Sequence, residues 1–379
     1  MATNLQTGGG CPFAEAYAAD KARCAVFVIA RPYRFCRRYP GSGSRGNPLY
    51  RFRFFARTIE RRRANAGSGA MPIFSVDHVT TYSYAAPVRL GEHRMMLRPR
   101  DSNDQRLLLS SLAIDPTPHR LRWIHDVFDN CVAIADFTGT TKELRVVNRI
   151  KLEHTPFDDA EFLLEDRARY YPFAYDGEEM PDLARSIERR FPDPSGELDR
   201  WVRRFLHPGR PTETAELLMT LNYAIKESLS YERRVARGTQ SPLQTLALRR
   251  GSCRDFATLM MEAARALGFA ARFVSGYIYV PDRDTGEPYL GGGSTHAWLQ
   301  IYLPGSGWVE FDPTNGIVGN RDLIRVAVAR EAQQAIPLHG YYYGEPMDDA
   351  MEVSVLVRQL PERDVLAFGV HDKATPPGT

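Results

Sequence analysis

Beyond residue 70 the chain holds only two cysteines, Cys131 and Cys253; the other three of its five, Cys11, Cys24 and Cys36, lie in the first 70 residues. No two of them form a Cys-x-x-Cys pair, and no histidine pair has the His-x-x-x-His spacing of a helical metal site. These absences argue against a structural zinc site and call for no metal or other cofactor. They also argue against a disulfide framework, which fits a reducing, cytoplasmic compartment. Long apolar runs are missing too. Ala25 to Ala30 is too short to span a bilayer, and the arginines after it do not make a signal peptide, so no membrane partner is expected. The net charge of +3 misleads, because residues 1–70 carry 13 basic against 3 acidic side chains, leaving 36 against 43 for the rest. The body of the protein is therefore acidic, and no nucleic-acid partner is expected.

Residues 1–70 are rich in Arg, Gly and Ala and show no sustained periodicity. Met71 begins the first strand-like stretch. We expect Met71 to be the natural start, with 1–70 a disordered extension or mispredicted upstream sequence; an Arg-rich targeting segment is the second reading.

What is present is concentrated in three short stretches: Gly251-Ser252-Cys253-Arg254-Asp255, Thr295-His296-Ala297-Trp298 and Glu310-Phe311-Asp312-Pro313-Thr314. After Cys253, the positions Phe256, Leu259, Met260, Ala263 and Leu267 have helical spacing, and Gly268 is placed to stop the helix in a left-handed cap. Ser252 fits the N-cap, and Asp255 completes a capping-box-like pair. Cys253 then opens the helix, where unpaired N–H groups and the dipole favour a thiolate; Arg254 adds positive charge. A lone cysteine here would equally serve as a small buried residue. Its partners downstream tip the reading towards a nucleophile.

Thr295 to Leu303 reads as a strand, with His296, Trp298 and Gln300 on a polar face and Ala297, Leu299 and Ile301 on a core face. Pro304-Gly305-Ser306-Gly307 is a turn, and Trp308 to Asp312 returns. With a three-residue loop, Pro304 to Ser306, Leu303 pairs with Gly307. Asp312 then lies opposite Trp298 and diagonal to His296, about 7–8 Å away at Cα and within reach of a carboxylate–imidazole bond. Such a bond would orient the imidazole as in a Ser–His–Asp set. Separately, His296 is an ordinary strand histidine and Asp312 a turn-initiating residue before Pro313. In this order and combination, Cys253, His296 and Asp312 predict a catalytic set.

These motifs resemble the transglutaminase-like superfamily of papain-like thiol enzymes. Gly251-Ser252-Cys253-Arg254-Asp255-Phe256-Ala257, with Leu267-Gly268-Phe269-Ala270-Ala271-Arg272-Phe273-Val274-Ser275-Gly276-Tyr277, is similar to the bacterial branch. Asp77-His78-Val79-Thr80-Thr81-Tyr82 and Leu97-Arg98-Pro99-Arg100-Asp101 resemble the β-rich domain that precedes the catalytic domain there. The resemblance runs from Met71 to Leu360. It implies an acyl-enzyme route on amide bonds, with Cys253 as nucleophile, His296 as general base and acid, and Asp312 as orienter. The acyl group would pass to water or to an amine. Bacterial members with this β-domain are described as candidate cysteine proteases, and some are associated with ATP-grasp peptide-ligase partners, so a peptide or protein amide is the implied substrate. A non-catalytic binding or scaffolding module that kept the fold is the competing reading.

The backbone N–H of Cys253 is one natural oxyanion donor. Tyr231 is a second candidate, though a packed aromatic after a helix explains it as well, and Trp298 is a candidate substrate contact beside the imidazole. Gln244 is tempting, but Ser241-Pro242-Leu243-Gln244 is itself a capping box. Arg254, Glu310, Asp322 and Tyr341-Tyr342-Tyr343 are further candidates near the substrate. The glycines before Ser294, with Asp282 to Leu290, form a loop that reads as substrate gating or as a simple loop tip.

Strand-like text at Val76–Tyr82, Leu107–Ile114, Leu121–Val127, Val132–Phe137 and Leu144–Leu152 predicts an antiparallel β-sandwich over 71–155, with a hairpin turn at Asp129-Asn130. Cys131 reads as inert core of its strand. Helices are expected at Asp182–Arg190, Glu197–Phe205, Thr212–Leu229, after Ser241 and after Cys253. Strands follow at Ala270–Val280, Thr295–Leu303, Trp308–Asp312, Leu323–Val328 and Met351–Val357. The expected fold is α+β: the β-sandwich, then a papain-like, transglutaminase-like catalytic domain over 156–360 in which a helix packs on an antiparallel sheet. Residues 361–379 read as a tail.

Overall fold

The computed structural model describes residues 71–155, 163–234, 238–281, 293–344 and 350–360. The expected extension over 1–70, the tail over 361–379 and most of the expected gating loop, 282–292, lie outside the described residues. Five strands come first: β1 (Ile73–Arg98), β2 (Gln105–Asp115), β3 (Arg120–His125), β4 (Cys131–Asp136) and β5 (Thr141–His154). A mixed segment follows, with β6 (Tyr170–Tyr171), α1 (Met180–Ile187), α2 (Glu197–Arg203), β7 (Thr212–Glu213), α3 (Thr214–Ser228), β8 (Ser230–Tyr231), α4 (Pro242–Leu248), β9 (Arg250–Gly251) and α5 (Cys253–Ala266). Then come β10 (Ala271–Ile278), β11 (His296–Leu303), β12 (Gly307–Asp312), β13 (Ile317–Val318), β14 (Leu323–Ala329), β15 (Leu338–Tyr343) and β16 (Ala350–Leu360).

The β-rich part is organised by β1, which is 26 residues long. Its first half, Ile73 to Ser83, runs between β5 and β16. Its second half pairs with β4 and β15 after register breaks at Ser83/Val88 and Leu90/His93. Breaks of this kind bend a strand. Two four-stranded arrays, β2-β5-β1-β16 and β3-β4-β1-β15, therefore share one strand. They close on a core of Leu144 and Val146 from one array and Met95, Leu97, Ala133 and Ala135 from the other. This is the expected sandwich, with one correction. β15 and β16 come from residues 338–360, which we expected inside a catalytic domain of 156–360, yet both pair with β1. Local sequence shows that a strand exists but not which distant edge it completes.

Two local readings also change. The β3–β4 hairpin pairs His125 with Cys131, so its loop is 126–130 rather than the two residues Asp129-Asn130. The Asp126 carboxylate accepts from the backbone N–H groups of Phe128 and Asn130, and Asp129 takes the left-handed turn, φ 63°. Cys131 is half-buried at the strand's start, its sulfur 3.8 Å from Nε2 of His125, and is not core. The core positions of β4 are Val132 and Ile134 on one face and Ala133 and Ala135 on the other. Both faces of β4 are covered, which explains its continuous apolar run.

The second sheet is antiparallel, in the order β13-β12-β11-β10-β14. On one face α5 packs Phe256, Leu259, Met260 and Ala263 against Ala297, Leu299 and Ile301, and α3 adds Leu217, Leu218, Leu221 and Ile225. Helix α5 ends as its sequence predicts. Gly268 is left-handed, φ 89°, its N–H donating to the carbonyl of Arg265, and the N–H of Phe269 reaches the carbonyl of Ala264. That is the Schellman pattern.

The β-rich region packs along the β14 side of this sheet, where Met96, Val132 and Ile134 join the α5 core. Phe74, Val76, Ile150 and Leu152 pack on Tyr277, Ile324 and Val326. Two side-chain amides meet the backbone of β14. Asn130 donates to the carbonyl of Val328 at 2.7 Å and accepts from its N–H at 2.8 Å; Gln105 does the same to Arg325, at 2.7 and 3.2 Å. An edge strand's unpaired groups are thereby satisfied. Between the regions, Arg325 bridges Asp104 at 2.8 Å and Glu310 at 2.6 Å, and Glu310 accepts from Gln300 at 2.6 Å. Substituting Arg325→Met leaves two largely buried carboxylates without their cation. We expect a loss of about 3 kcal/mol, the low end for a broken buried pair because the arginine retains some solvent contact. Urea denaturation measures it; a loss below about 1 kcal/mol, the level of a surface pair, would show that the bridge does not hold the regions together.

Candidate active site

Cys253 is the first residue of α5, and its position is set by the carboxylate three residues on. Asp255 is fully buried and accepts from the N–H of Ser252 at 2.9 Å and from its hydroxyl at 2.8 Å. The same carboxylate accepts from the backbone N–H of Gln240 at 2.7 Å and pairs with Arg234 at 2.8 Å. Burial alone would raise the Asp255 pKa; these donors outweigh it and hold the group below its ordinary range. The capping role read from the sequence is correct, and Arg234 is the partner it missed. That arginine lies 21 residues upstream, with no local pattern to mark it.

The segment before the helix is fixed from the other side. β8 and β9 pair in parallel, with Tyr231 beside Gly251, and the N–H of Glu232 donates to the carbonyl of Gly251 at 2.8 Å. Gly251 is required here, because a Cβ would stand 2.9 Å from Cβ of Asp255 and 3.2 Å from the Phe256 ring. Tyr231 is half-buried and its hydroxyl makes no hydrogen bond to the described residues. Burial pushes its phenol up to about 12, with the neighbouring Cys253 acting in the same direction. At neutral pH it is a protonated O–H donor beside the nucleophile.

The candidate base and its carboxylate sit on the β11–β12 hairpin. Leu303 pairs with Gly307, and the register runs on to Leu299 with Phe311. The loop is therefore Pro304 to Ser306, and continuing the register sets Asp312 beside Trp298. Nε2 of His296 donates to Oδ2 of Asp312 at 2.8 Å, and both side chains are fully buried. Asp312 is held from two more sides, by the N–H of Thr314 at 2.9 Å and by Nδ2 of Asn315 at 2.8 Å. Asn315 was not singled out from the sequence. The signal was the turn after Asp312-Pro313, where an Asx-type bond to the following backbone is common.

Burial alone would lower the His296 pKa from its ordinary 6.5, but the Asp312 carboxylate outweighs burial and pushes it up to about 10; the Cys253 side chain acts the same way. Asp312 is held below its ordinary range, because His296 and the turn donors outweigh burial. Nδ1 of His296 makes no hydrogen bond among the described residues. With Nε2 engaged by Asp312, Nδ1 is the free nitrogen for a proton exchanged with the thiol, the two being coupled without a closed bond. Catalytic hydrogen bonds are often open until substrate arrives.

Other candidates fall differently. Trp298, read as a substrate or oxyanion contact, is 0% exposed and stacks on His296 at 6.0 Å between ring centroids. It supports the imidazole from within and touches nothing outside. The polar face of β11 is buried as well: Trp298 packs with Val274, Ile278 and Leu323, and Gln300 is engaged by Glu310. Glu310 is consumed by Gln300 and Arg325, and Asp322 is buried at the start of β14 with its carbonyl accepting from Tyr279. In β15, Tyr342 packs inward on the sandwich core, while Tyr341 and Tyr343 face outward, edge to face at 5.5 Å. Gln244 forms the capping box with Ser241. Arg254 stays beside the nucleophile, half-buried, with a long 3.5 Å contact to the carbonyl of Arg234. Among the described residues no group of His, Cys, Asp and Glu is arranged to hold a metal ion, and no helix is long and apolar enough to cross a membrane.

Residues 74–153 match the bacterial transglutaminase-like N-terminal region. Residues 201–313, which hold Cys253, His296 and Asp312, match the transglutaminase-like superfamily. The chain belongs to the transglutaminase-like superfamily. An uncharacterized protein of Mycobacterium tuberculosis is 25% identical over 288 residues, spanning 74% of this chain and 91% of the relative. One from Mycobacterium leprae is 26% identical over 288 residues, spanning 75% and 98%. The crystal structure of a candidate cysteine protease from Cytophaga hutchinsonii superposes with a TM-score of 0.59 at 20% identity, covering 78% of this chain and 92% of that one, which is a likeness of fold.

The buried pair makes stability pH-dependent. His296 rises from 6.5 to about 10 on folding. Its contribution is complete below pH 6.5 and is lost as pH rises through about 10. Asp312 is lowered, so its contribution is present above its ordinary 3.8 and is lost as pH falls below that. We expect the melting temperature to fall between pH 7 and 10 more steeply in the native protein than in Asp312→Asn. Parallel curves for the two would show that the pair carries no charge.

Proposed function

We propose that the protein is a thiol-dependent amide-bond enzyme that forms an acyl-enzyme on Cys253, with hydrolysis favoured over transfer to an amine. The observation that carries this reading is the fully buried His296–Asp312 pair, whose free imidazole nitrogen is coupled to a thiol at the head of a buried helix. Taking two charges out of water costs several kcal/mol per ion after relaxation. A binding or scaffolding module of the same fold has no use for that arrangement, whereas general base catalysis does.

In the proposed sequence, the proton of Cys253 already rests on Nδ1 of His296, kept as an imidazolium by Asp312, and the sulfur attacks the carbonyl carbon of a peptide or protein amide. The oxygen that takes up the electron pair accepts from the backbone N–H of Cys253 and the hydroxyl of Tyr231. Collapse of the adduct breaks the C–N bond, and the imidazolium protonates the departing amine. His296 then takes a proton from water, which attacks the thioester. The acid leaves, and the pair of Cys253 sulfur and protonated His296 is restored. Asp312 holds the imidazolium throughout. Transfer to an amine uses the same residues and replaces only water. A reducing compartment suits an unpaired nucleophilic thiol.

Replacing Cys253 by Ala should abolish both turnover and iodoacetamide labelling of the catalytic domain while moving the melting temperature by no more than about 2 °C, since little volume is lost. Labelling at an undiminished rate in that variant would refute the assignment. Asp312→Asn should lower kcat by about 10³–10⁴-fold, the range seen when an orienting carboxylate is neutralised. Partitioning the acylated enzyme between water and added glycine amide reports the acceptor. Release mainly as the free acid is expected.

A further inference from the structure

A recess of about 470 Å³ lies away from the thiol site, among α2, the end of α3 and α4. Three guanidinium groups line it, Arg200, Arg204 and Arg249, against a single carboxylate, Glu197. None of the three arginines has an ion-pair partner among the described residues. Each spends one donor on a backbone carbonyl: Arg200 on Ser195 at 2.6 Å, Arg204 on Trp201 at 3.2 Å and Arg249 on Ser228 at 3.4 Å. The rest of each planar fork stays open to the recess. Three like charges around one concavity repel unless something neutralises them, and a guanidinium matches an oxyanion with two parallel bonds.

Arg249 adds an observation of a different kind. It closes α4 in the left-handed conformation, φ 54° and ψ 29°. Helices usually place glycine in such a conformation, because a Cβ there is strained. The side chain is therefore held at this spot against its backbone preference, which is common at ligand-binding positions. The floor is apolar, with Leu229, Leu246 and Trp201.

We propose that this recess binds a peptide segment that pairs carboxylates with an apolar side chain. The carboxylates meet the three arginines and the apolar side chain covers the floor. The site is tied to the thiol by backbone. The carbonyl of Arg249 accepts from Ser230 at 2.9 Å, and two residues later Gly251 pairs with Tyr231. An occupant that clamps Arg249 thus grips the strand pair that leads into Cys253.

The test uses the full chain carrying Cys253→Ala, so that no peptide is consumed and the result does not depend on the activity proposed above. Calorimetry at low salt compares a capped hexapeptide of alternating Glu and Leu with its Gln–Leu analogue and with inorganic phosphate. The acidic peptide should bind at least about tenfold tighter than the Gln peptide, as charge-assisted pairs require. Arg204→Gln and Arg249→Gly should each weaken it by about tenfold or more. Arg249→Gly should leave the melting temperature unchanged or higher, because glycine relieves the backbone. Equal affinity for the two hexapeptides would overturn the proposal, as would phosphate binding as tightly as the acidic peptide. So would an Arg249→Gly protein that melts lower yet binds the peptide unchanged, since that arginine would then be a helix cap and nothing more.

Discussion

One buried ion pair, His296 with Asp312, constrains the rest of the molecule. It exists only while the β11–β12 hairpin keeps a three-residue turn, because a one-residue slip sends Asp312 to the opposite face. The turn is held from outside, since Glu165 donates its N–H to the carbonyl of Pro304 and the backbone of Leu163 leaves no room for a Cβ on Gly305. A charge pair with no solvent also needs walls. Helix α5 supplies one, and Trp298, packed with Val274, Ile278 and Leu323, supplies another. The N-terminal strands are not an appended module, since Met96, Val132 and Ile134 share one core with Phe256 and Cys253.

A second carboxylate does different work at the start of α5. Asp255 collects donors from Ser252, Gln240 and Arg234, three points on a chain that would otherwise be loosely related. The arginine neutralises it, so the helix start keeps its favourable field for a nucleophile. Two acids within a few residues of the reacting groups therefore have opposite duties. Asp312 sustains a charge on its partner, and Asp255 hides its own charge in a cap.

Much of this was legible in the sequence, for physical reasons that differ by element. The limits of α5 were readable because cap chemistry is local: Ser252 and Asp255 at one end, Gly268 at the other. The hairpin register was readable because a period of two and a short Gly-rich turn leave few choices for Leu303 and Gly307. Pairing between distant strands was not. The residues of β15 and β16 have strand composition, but nothing in them says that β1 lies beside them. Burial by tertiary cover was equally hidden. Trp298 and Glu310 alternate as though on a wet face, and only the packing of Val274, Ile278 and Leu323 around Trp298 and the pairing of Glu310 with Gln300 and Arg325 show that the face is dry. Arg234 and Asn315 were missed because a donor to a buried carboxylate has no signature until the carboxylate's place is known.

The shared strand β1 has a consequence for biosynthesis. Its hydrogen-bonding edges are completed by β15 and β16, the last described strands of the chain, while Cys253, His296 and Asp312 lie between. Contacts of such sequence separation form late and slowly. A nascent chain can have made Cys253, His296 and Asp312 and still lack the strands that finish the sandwich. A product that stops before Leu338 therefore carries all three residues behind a first strand whose edges are left unpaired.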